Sequence, residues 1–335
     1  MQESMGVHPP LYPLLLVPFA ILIPTIDSLL IVFFFFEFLT LFAFIFLLNE
    51  DRNKSRFVLL MFILNPLMWM PNIIWLQDEI ITAFFILLVI HLRKKTESGA
   101  AFFLGFSLLF AKLFILLAFI PFILTSYRRI WTALNILMGT IPYLLILAIN
   151  GCFSLGSPFM SFYSDMPISG TGFLNLVLLV SNVNLKTLFP VLAGFCLFIY
   201  YGYSLRVNLQ RNKQEFLRLC LFSYIIFFLF YPRTEPEYLV IFFPLFLGYL
   251  YSRDFDRFKE GIFLSILGFA AWSWQAAFAL QQIAEQLIES PPEIALKILD
   301  LHQTIMGNEM LIIEQVFFVS ITVLILLRYI IFSAK

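Results

Sequence analysis

Long apolar runs separated by short basic segments make up most of this chain. Runs of roughly 18 residues or more, long enough to cross a bilayer as a helix, recur along the sequence. Lys and Arg gather in six clusters: Arg52/Lys54/Arg56, Arg93/Lys94/Lys95, Arg128/Arg129, Arg206/Arg211/Lys213/Arg218, Arg253/Arg257/Lys259 and the tail from Arg328 to Lys335. Because basic residues collect on the cytoplasmic side of membrane proteins, we expect all six clusters on that side.

This rule predicts how the chain threads through a membrane. The segments expected to cross are residues 26–48, 57–71, 75–92, 130–149, 187–205, 219–231, 238–251, 261–280 and 311–327. Residues 173–186 are expected to lie on the surface. Residues 9–24 carry five prolines, which remove amide donors. We therefore expect a short interfacial or re-entrant helix there, with a kinked, protein-packed span as the alternative. The prediction is an all-α polytopic membrane protein with about 9 to 11 transmembrane or re-entrant helices and no soluble domain.

Residues 99–127 have basic residues at both ends, yet a single helix would cross only once. A broken hairpin, in which two short helices meet near Lys112, returns the chain to the side from which it started. This arrangement agrees with the positive-inside rule. Irregular backbone at such depth is tolerated only where protein or a wet cavity covers it. Lys112 is the one basic residue inside this apolar run. It is a candidate site residue, and the alternative is that its amine snorkels to the surface.

Two regions are expected along the chain. Residues 1–260 form the transmembrane core, and residues 261–335 form a C-terminal helix pair. The segment 281–309 is acidic with interspersed apolar residues, which is typical of amphipathic helices on a membrane surface. It is either a lid over a site or a solvated connector.

Composition agrees with the membrane prediction and excludes some classes of function. The chain is 61% hydrophobic and 13% charged, whereas soluble domains are about a quarter charged. Its formal net charge is zero, so no global field would recruit nucleic acid. Cys152, Cys196 and Cys220 lack metal or redox spacing, and we expect no disulfide framework.

Asp78 and Glu79 are adjacent acids at the turn between two predicted spans. Ionisable groups at membrane depth are costly and usually face a partner or a wet cavity, so this pair is the leading candidate for catalysis. The alternative is a solvated loop at the membrane surface. Binding of a divalent cation by Asp78 and Glu79 is a further alternative, because hard cations need only oxygen ligands. The sequence shows no evident cluster of metal ligands.

Other polar residues converge on the same outer side by topology. The substrate-binding candidates are Gln77, Lys112, Arg233, Glu235, Glu237 and Tyr238, with Tyr163-Ser164-Asp165 in the loop 150–172 as a further candidate. Arginine and lysine bind phosphate, and a carboxylate serves as a general base toward a hydroxyl group. This set suits a substrate with a phosphate and a neutral polar body.

Several short motifs recur in an order that resembles a known family. They are Pro9-Pro10-Leu11-Tyr12, Asn65-Pro66, Trp75-Leu76-Gln77-Asp78, Phe110-Ala111-Lys112 with Pro121, and Glu237-Tyr238 with Pro244. This order resembles the integral-membrane glycosyltransferases of the GT-C class, and among them the mannosyltransferase-like members that use polyprenyl-phosphate sugars. The resemblance covers roughly residues 8–250. It implies sugar transfer from a polyprenyl-phosphate donor, with membrane lipid as a partner, on the outer side of the cell membrane in a prokaryote or on the lumenal side of the endoplasmic reticulum membrane in a eukaryote.

One departure from that family bears on activity. Its members usually carry an extra helix and a large outer loop with the catalytic aspartate before the Pro-Pro-Leu segment, whereas here seven residues precede His8. The chain is then an incomplete member, an inactive one, or one that uses another base: Asp78, Glu79, Asp165, Glu235 or Glu237. A transporter or flippase of lipid-linked sugars and a non-catalytic membrane subunit that works with a partner are the alternatives.

Overall fold

The computed structural model of the chain describes residues 11–22, 27–47, 52–66, 68, 79–149, 169–170, 173–181, 188–206, 211–231, 233–234, 238–253, 256, 259–268, 297, 316, 320, 323, 324 and 328. The fold is all-α. Its α-helices are α1 (Tyr12–Leu22), α2 (Asp27–Leu47), α3 (Arg52–Leu64), α4 (Glu79–Arg93), α5 (Glu97–Phe106), α6 (Phe119–Leu124), α7 (Arg129–Ile149), α8 (Phe173–Ser181), α9 (Phe189–Arg206), α10 (Lys213–Phe230), α11 (Leu239–Tyr251) and α12 (259–268). Two 3-10 helices span Ser107–Leu109 and Leu113–Ala118.

The β-strands in the described ranges are two, of two residues each. They are β1 (Ser169–Gly170) and β2 (Arg233–Thr234), and they pair in parallel with Ser169 opposite Arg233. The pairing joins the end of the loop 150–172 to the turn before α11.

The broken hairpin predicted around Lys112 is confirmed. Helix α5 and the 3-10 helix Ser107–Leu109 lead to a non-helical stretch at residues 110–112, and the 3-10 helix Leu113–Ala118 and α6 lead back. The two ends of the hairpin meet, because the backbone N–H of Tyr127 donates to Glu97 Oε1 at 3.1 Å. Residues 97–127 therefore return to the end of the bundle from which they started.

Helix α4 lies beside the hairpin and fixes its direction. At the C-terminal end of α4, Arg93 Nη1 donates to Thr125 Oγ1 at 2.9 Å, near the base of the hairpin. At the N-terminal end of α4, Glu79 contacts Lys112 at the tip. A helix of 15 residues is about 22 Å long. The hairpin therefore extends along the full length of α4.

Helices α5 and α7 pack against each other through two glycines. A Cβ on Gly105 would lie 2.1 Å from the Ile136 carbonyl oxygen, and one on Gly139 would lie 2.0 Å from the Phe102 carbonyl oxygen. Only residues without a side chain let two helix backbones come this close, as small residues do in membrane helix pairs.

The core of the bundle contains α4, α10 and α11, which are apolar and buried over most of their length. A helix that is apolar on every side occurs inside large proteins or in membranes. Helices α2 and α7 are buried on one face only, and the opposite face of each is also apolar. Within the described residues, α7 is the one helix whose length and composition suffice to cross a membrane; the apolar segments Ile31–Phe46, Glu97–Leu109, Leu113–Leu124 and Leu239–Tyr251 are shorter.

Helix α10 begins six residues before the predicted span 219–231. The charged residues at the start of α10 are of the kind that loops usually carry, but three contacts hold them in the helix. The Asn212 side chain caps the helix by accepting from the Glu215 N–H at 2.8 Å. Arg218 Nε donates to Glu215 Oε2 at 3.0 Å, and Arg218 Nη1 donates to the Tyr200 hydroxyl at 2.8 Å. Arg218 is thus a buried helical residue and not part of a loop.

Candidate functional site

The backbone leaves the helical conformation at Lys112, the tip of the hairpin. Lys112 has φ −55° and ψ 155°, an extended conformation in which its carbonyl accepts the Ile115 N–H at 3.0 Å. The Leu109 carbonyl, left over at the end of the preceding 3-10 helix, accepts the Leu11 N–H at 2.9 Å. The segment that begins α1 therefore lies on the hairpin tip and satisfies one of its backbone groups.

Lys112 forms a buried ion pair with Glu79. The distance from Lys112 Nζ to Glu79 Oε1 is 2.5 Å, and the exposed fractions of the two side chains are 11% and 0%. Glu79 also lies in the first turn of α4, where the helix dipole stabilises a negative charge. The amine of Lys112 therefore contacts an acid inside the bundle instead of snorkelling to the surface.

Aromatic rings line the chain next to Lys112. The ring centroids of Phe114 and Tyr238 lie 5.0 Å apart in an edge-on arrangement, and Tyr231 contacts Phe114 at 6.3 Å. The Tyr224 hydroxyl donates to the Phe114 carbonyl at 2.9 Å. The predicted site residue Tyr238 thus lies against the hairpin tip.

The structure brings together part of the predicted site. Glu79 and Lys112 are in direct contact, Tyr238 is joined to them through Phe114, and the backbone of Arg233 lies in β2. The predicted residues outside the described ranges are Gln77, Asp78, Glu235, Glu237 and Tyr163 to Asp165, together with all of the segment 281–309 except Lys297.

Asn65, part of a motif that carries the family resemblance, holds two helices together. Its Nδ2 donates to the Leu264 carbonyl at 2.9 Å, and its side chain occupies the space above Gly268, where a Cβ would lie 2.3 Å from Asn65 Oδ1. The side chain of Asn65 therefore contacts the backbone of α12.

Sequence reasoning missed Thr82. This residue lies one turn after Glu79 on α4, is fully buried, and its hydroxyl has no hydrogen-bond partner among the described residues. A buried polar group without a partner is uncommon. The spacing of three positions from Glu79 places both residues on one helix face and is the signal that would have found it.

The opposite end of the bundle is basic. Five contacts join the clusters there: Lys54 Nζ to the Arg253 carbonyl at 3.1 Å, Lys213 over the Tyr251 ring at 6.0 Å, Arg211 over the Tyr127 ring at 5.2 Å, Arg93 to Thr125, and Arg328 to Glu260 at 3.0 Å. Five of the six basic clusters contribute a residue to this set, and the sixth, Arg128/Arg129, directly follows Tyr127. Burial raises the pKa of the Glu260 carboxyl, and the nearby guanidinium of Arg328 opposes that shift. We call this region the basic end and the region around Lys112 the tip end.

The described residues contain no group of three His, Cys, Asp or Glu side chains that could hold a metal ion. Cys196 and Cys220 are free thiols. Comparison of the chain with models of protein families, with curated proteins and with solved structures finds no match.

Proposed function

We propose that this chain is a polytopic membrane glycosyltransferase, which moves a sugar from a polyprenyl-phosphate donor to a lipid, glycan or protein acceptor on the non-cytoplasmic side. The observation that carries the proposal is the ion pair between Lys112 and Glu79 at a non-helical hairpin tip, remote from the basic end. Charged groups and irregular backbone at such depth mark functional sites in membrane proteins.

Exposed apolar surface supports the membrane location. On α2, Phe34, Phe38 and Phe42 are 48%, 56% and 43% exposed and follow each other at four-residue spacing. The outer face of α7 is apolar from Ile130 to Ile149, which are 78% and 83% exposed. Soluble monomers rarely expose apolar patches beyond a few hundred Å². A helix of 21 residues also matches the roughly 30 Å hydrocarbon core.

The distribution of charge supports the orientation. Because α4 carries Glu79 at one end and Arg93 at the other, a single crossing by α4 puts the two residues on opposite sides. The positive-inside rule assigns the basic end to the cytoplasm. The tip end then faces outward, where polyprenyl-phosphate sugars are used by the enzymes that this chain resembles.

The chemistry follows from the residues at the tip end. In the proposed reaction, Asp78 takes the proton of the acceptor hydroxyl, the acceptor oxygen bonds to the anomeric carbon, and the bond from that carbon to the phosphate oxygen breaks. Lys112 and Arg233 stabilise the negative charge that the leaving polyprenyl phosphate gains. Glu79 keeps Lys112 charged and in place, and Tyr238 lines the sugar site.

Transfer of labelled sugar from polyprenyl-phosphate donors in proteoliposomes tests the proposal. We expect Asp78→Asn and Lys112→Ala to lose at least about 100-fold in rate, the scale at which single electrostatic or acid–base groups act. Lys94→Ala removes an exposed lysine at the basic end and serves as the control. Wild-type rates in both site variants would contradict the proposed site. Substrate counterflow without glycoside formation would instead identify a transporter.

A further inference from the structure

A second surface, at the basic end, combines exposed positive charge with exposed apolar surface. The guanidinium of Arg211, just before α10, lies 5.2 Å from the ring centroid of Tyr127, just before α7. Arg128 is exposed next to Tyr127, which is itself 67% exposed. We call Tyr127, Arg128, Arg211 and Trp131 the Tyr127 patch.

Carboxylates close to the Tyr127 patch form ion pairs with arginines outside it. Glu97 accepts from the Tyr127 N–H and pairs with Arg93 at 3.4 Å. Glu215 pairs with Arg218. Arg129, whose Nε donates to the Leu124 carbonyl at 3.3 Å, caps the end of the hairpin. In the part of the chain that the structure describes, no acid forms an ion pair with Arg128 or Arg211, so the patch carries a local excess of positive charge.

An apolar strip continues directly from this charge along α7. Trp131 is 61% exposed, and Leu134, Leu137 and Met138 are 45%, 56% and 57% exposed. The spacing of three to four residues places them on one helix face. The opposite face, with Thr132, Ile136 and Gly139, is buried against α5. Charge at one end of a helix and a long apolar face beneath it match the two halves of a lipid molecule.

We propose that the Tyr127 patch is a binding site for an anionic phospholipid of the cytoplasmic leaflet. The headgroup phosphate lies between Arg128 and Arg211, which bind it as guanidinium groups bind phosphate. Trp131 lies at the depth of the glycerol backbone, as tryptophan does at membrane interfaces, and an acyl chain follows the strip from Leu134 to Met138. A soluble phosphate would make no use of that strip. The site depends on the proposed membrane location and not on sugar transfer.

Lipid binding to the purified full chain tests this site. Binding of phosphatidylglycerol and of phosphatidylcholine with identical acyl chains is measured by native mass spectrometry and by the shift in melting temperature. The double variant Arg128→Gln/Arg211→Gln is compared with Lys94→Gln/Lys95→Gln, which removes the same charge from exposed positions at the same end. At about 1 kcal/mol for each basic residue that contacts the headgroup, the patch variant should lose roughly 30-fold in affinity for phosphatidylglycerol, and the control, whose lysines lie outside the site, should lose less than threefold.

Three results would overturn the site: equal losses in the two double variants, equal binding of both lipids by the wild type, or full competition by soluble glycerol phosphate. The last would identify a site for free phosphate groups. Sugar transfer measured on the same samples separates this proposal from the proposed function, because the patch lies at the end of the bundle away from Lys112. Loss of lipid selectivity with unchanged transfer is the expected outcome for the patch variant.

Discussion

Lys112 meets Glu79 where the chain between Leu109 and Leu113 leaves the helical conformation. A continuous helix over residues 97–124 would run on past the start of α4 and carry Lys112 as one of many side chains on its surface. The break instead places the residue at the tip of a hairpin, where its amine lies 2.5 Å from the buried carboxylate. The ion pair thereby fixes where the hairpin ends along α4.

Removal of one partner of this pair should destabilise the protein strongly. Glu79→Gln or Lys112→Met removes one charge of a buried ion pair, which costs about 3–5 kcal/mol. The double variant Glu79→Gln/Lys112→Met removes both charges and should recover most of that loss. Thermal unfolding in detergent, arranged as a double-mutant cycle, measures the coupling. Additive losses would mean that the two side chains do not interact in the folded protein.

The close approach of α5 and α7 makes Gly105 and Gly139 intolerant of a side chain. Gly105→Ala or Gly139→Ala sets a methyl group about 2 Å from a backbone oxygen of the other helix, and the helices must separate. We expect a loss of about 1–3 kcal/mol, the usual cost of overpacking.

Two glycines of α9 are matched controls for this prediction. Among the described residues, no atom outside the backbone of α9 lies within 4 Å of a Cβ added at Gly194 or Gly202. Alanine there should be neutral or stabilise by about 0.5–1 kcal/mol, since glycine weakens helices. Melting temperatures of the four single variants in one detergent make the comparison. Equal behaviour of all four would mean that α5 and α7 do not touch through their backbones.

The hairpin break was predictable from sequence, whereas the partner of Lys112 was not. Basic residues at both ends of residues 99–127 predict two short helices in place of one span, and a lone lysine marks the middle of the segment. Which acid meets that lysine depends on how α4 packs beside the hairpin. Sequence offers Asp78 and Glu79 as neighbours, and the helix phase that points Glu79 inward is a property of tertiary packing.

At the start of α10 the sequence-based prediction of the helix boundary is wrong. Lys213, Glu215 and Arg218 have the composition of a loop, and a hydropathy pattern places such residues outside a span. In the structure Asn212 caps the helix, and Glu215 forms an ion pair with Arg218 within one helical turn. Local side-chain contacts of this kind do not appear in a hydropathy pattern, so the helix is longer than predicted.

The buried guanidinium of Arg218 depends on Tyr200. Tyr200→Phe keeps the ring, which stacks on Phe222 with centroids 3.5 Å apart, but removes the hydroxyl that accepts from Arg218 at 2.8 Å. Loss of a hydrogen bond to a charged group should lower the free energy of unfolding by about 1.5–3 kcal/mol. The control is Tyr203→Phe, because Tyr203 is 54% exposed and surface changes stay within about 0.5 kcal/mol. Chemical denaturation in mixed micelles measures both, and equal small losses would contradict a structural role for the Tyr200 hydroxyl.

Cysteine labelling tests the orientation on which the proposed site depends. In a variant whose own three cysteines are replaced by alanine, single cysteines are introduced at Asp78, Glu235, Lys94 and Arg128. A membrane-impermeant maleimide is then applied to sealed vesicles of known orientation. Positions 78 and 235 should react from the non-cytoplasmic side and positions 94 and 128 from the cytoplasmic side, because the proposed orientation assigns the tip end to the outside and the basic end to the cytoplasm. Reaction of positions 78 and 235 from opposite sides would mean that Asp78 and the turn before α11 never share a pocket. The assignment of sugar transfer to the tip end would then fail, whereas the ion pair between Glu79 and Lys112 would stand as a structural contact alone.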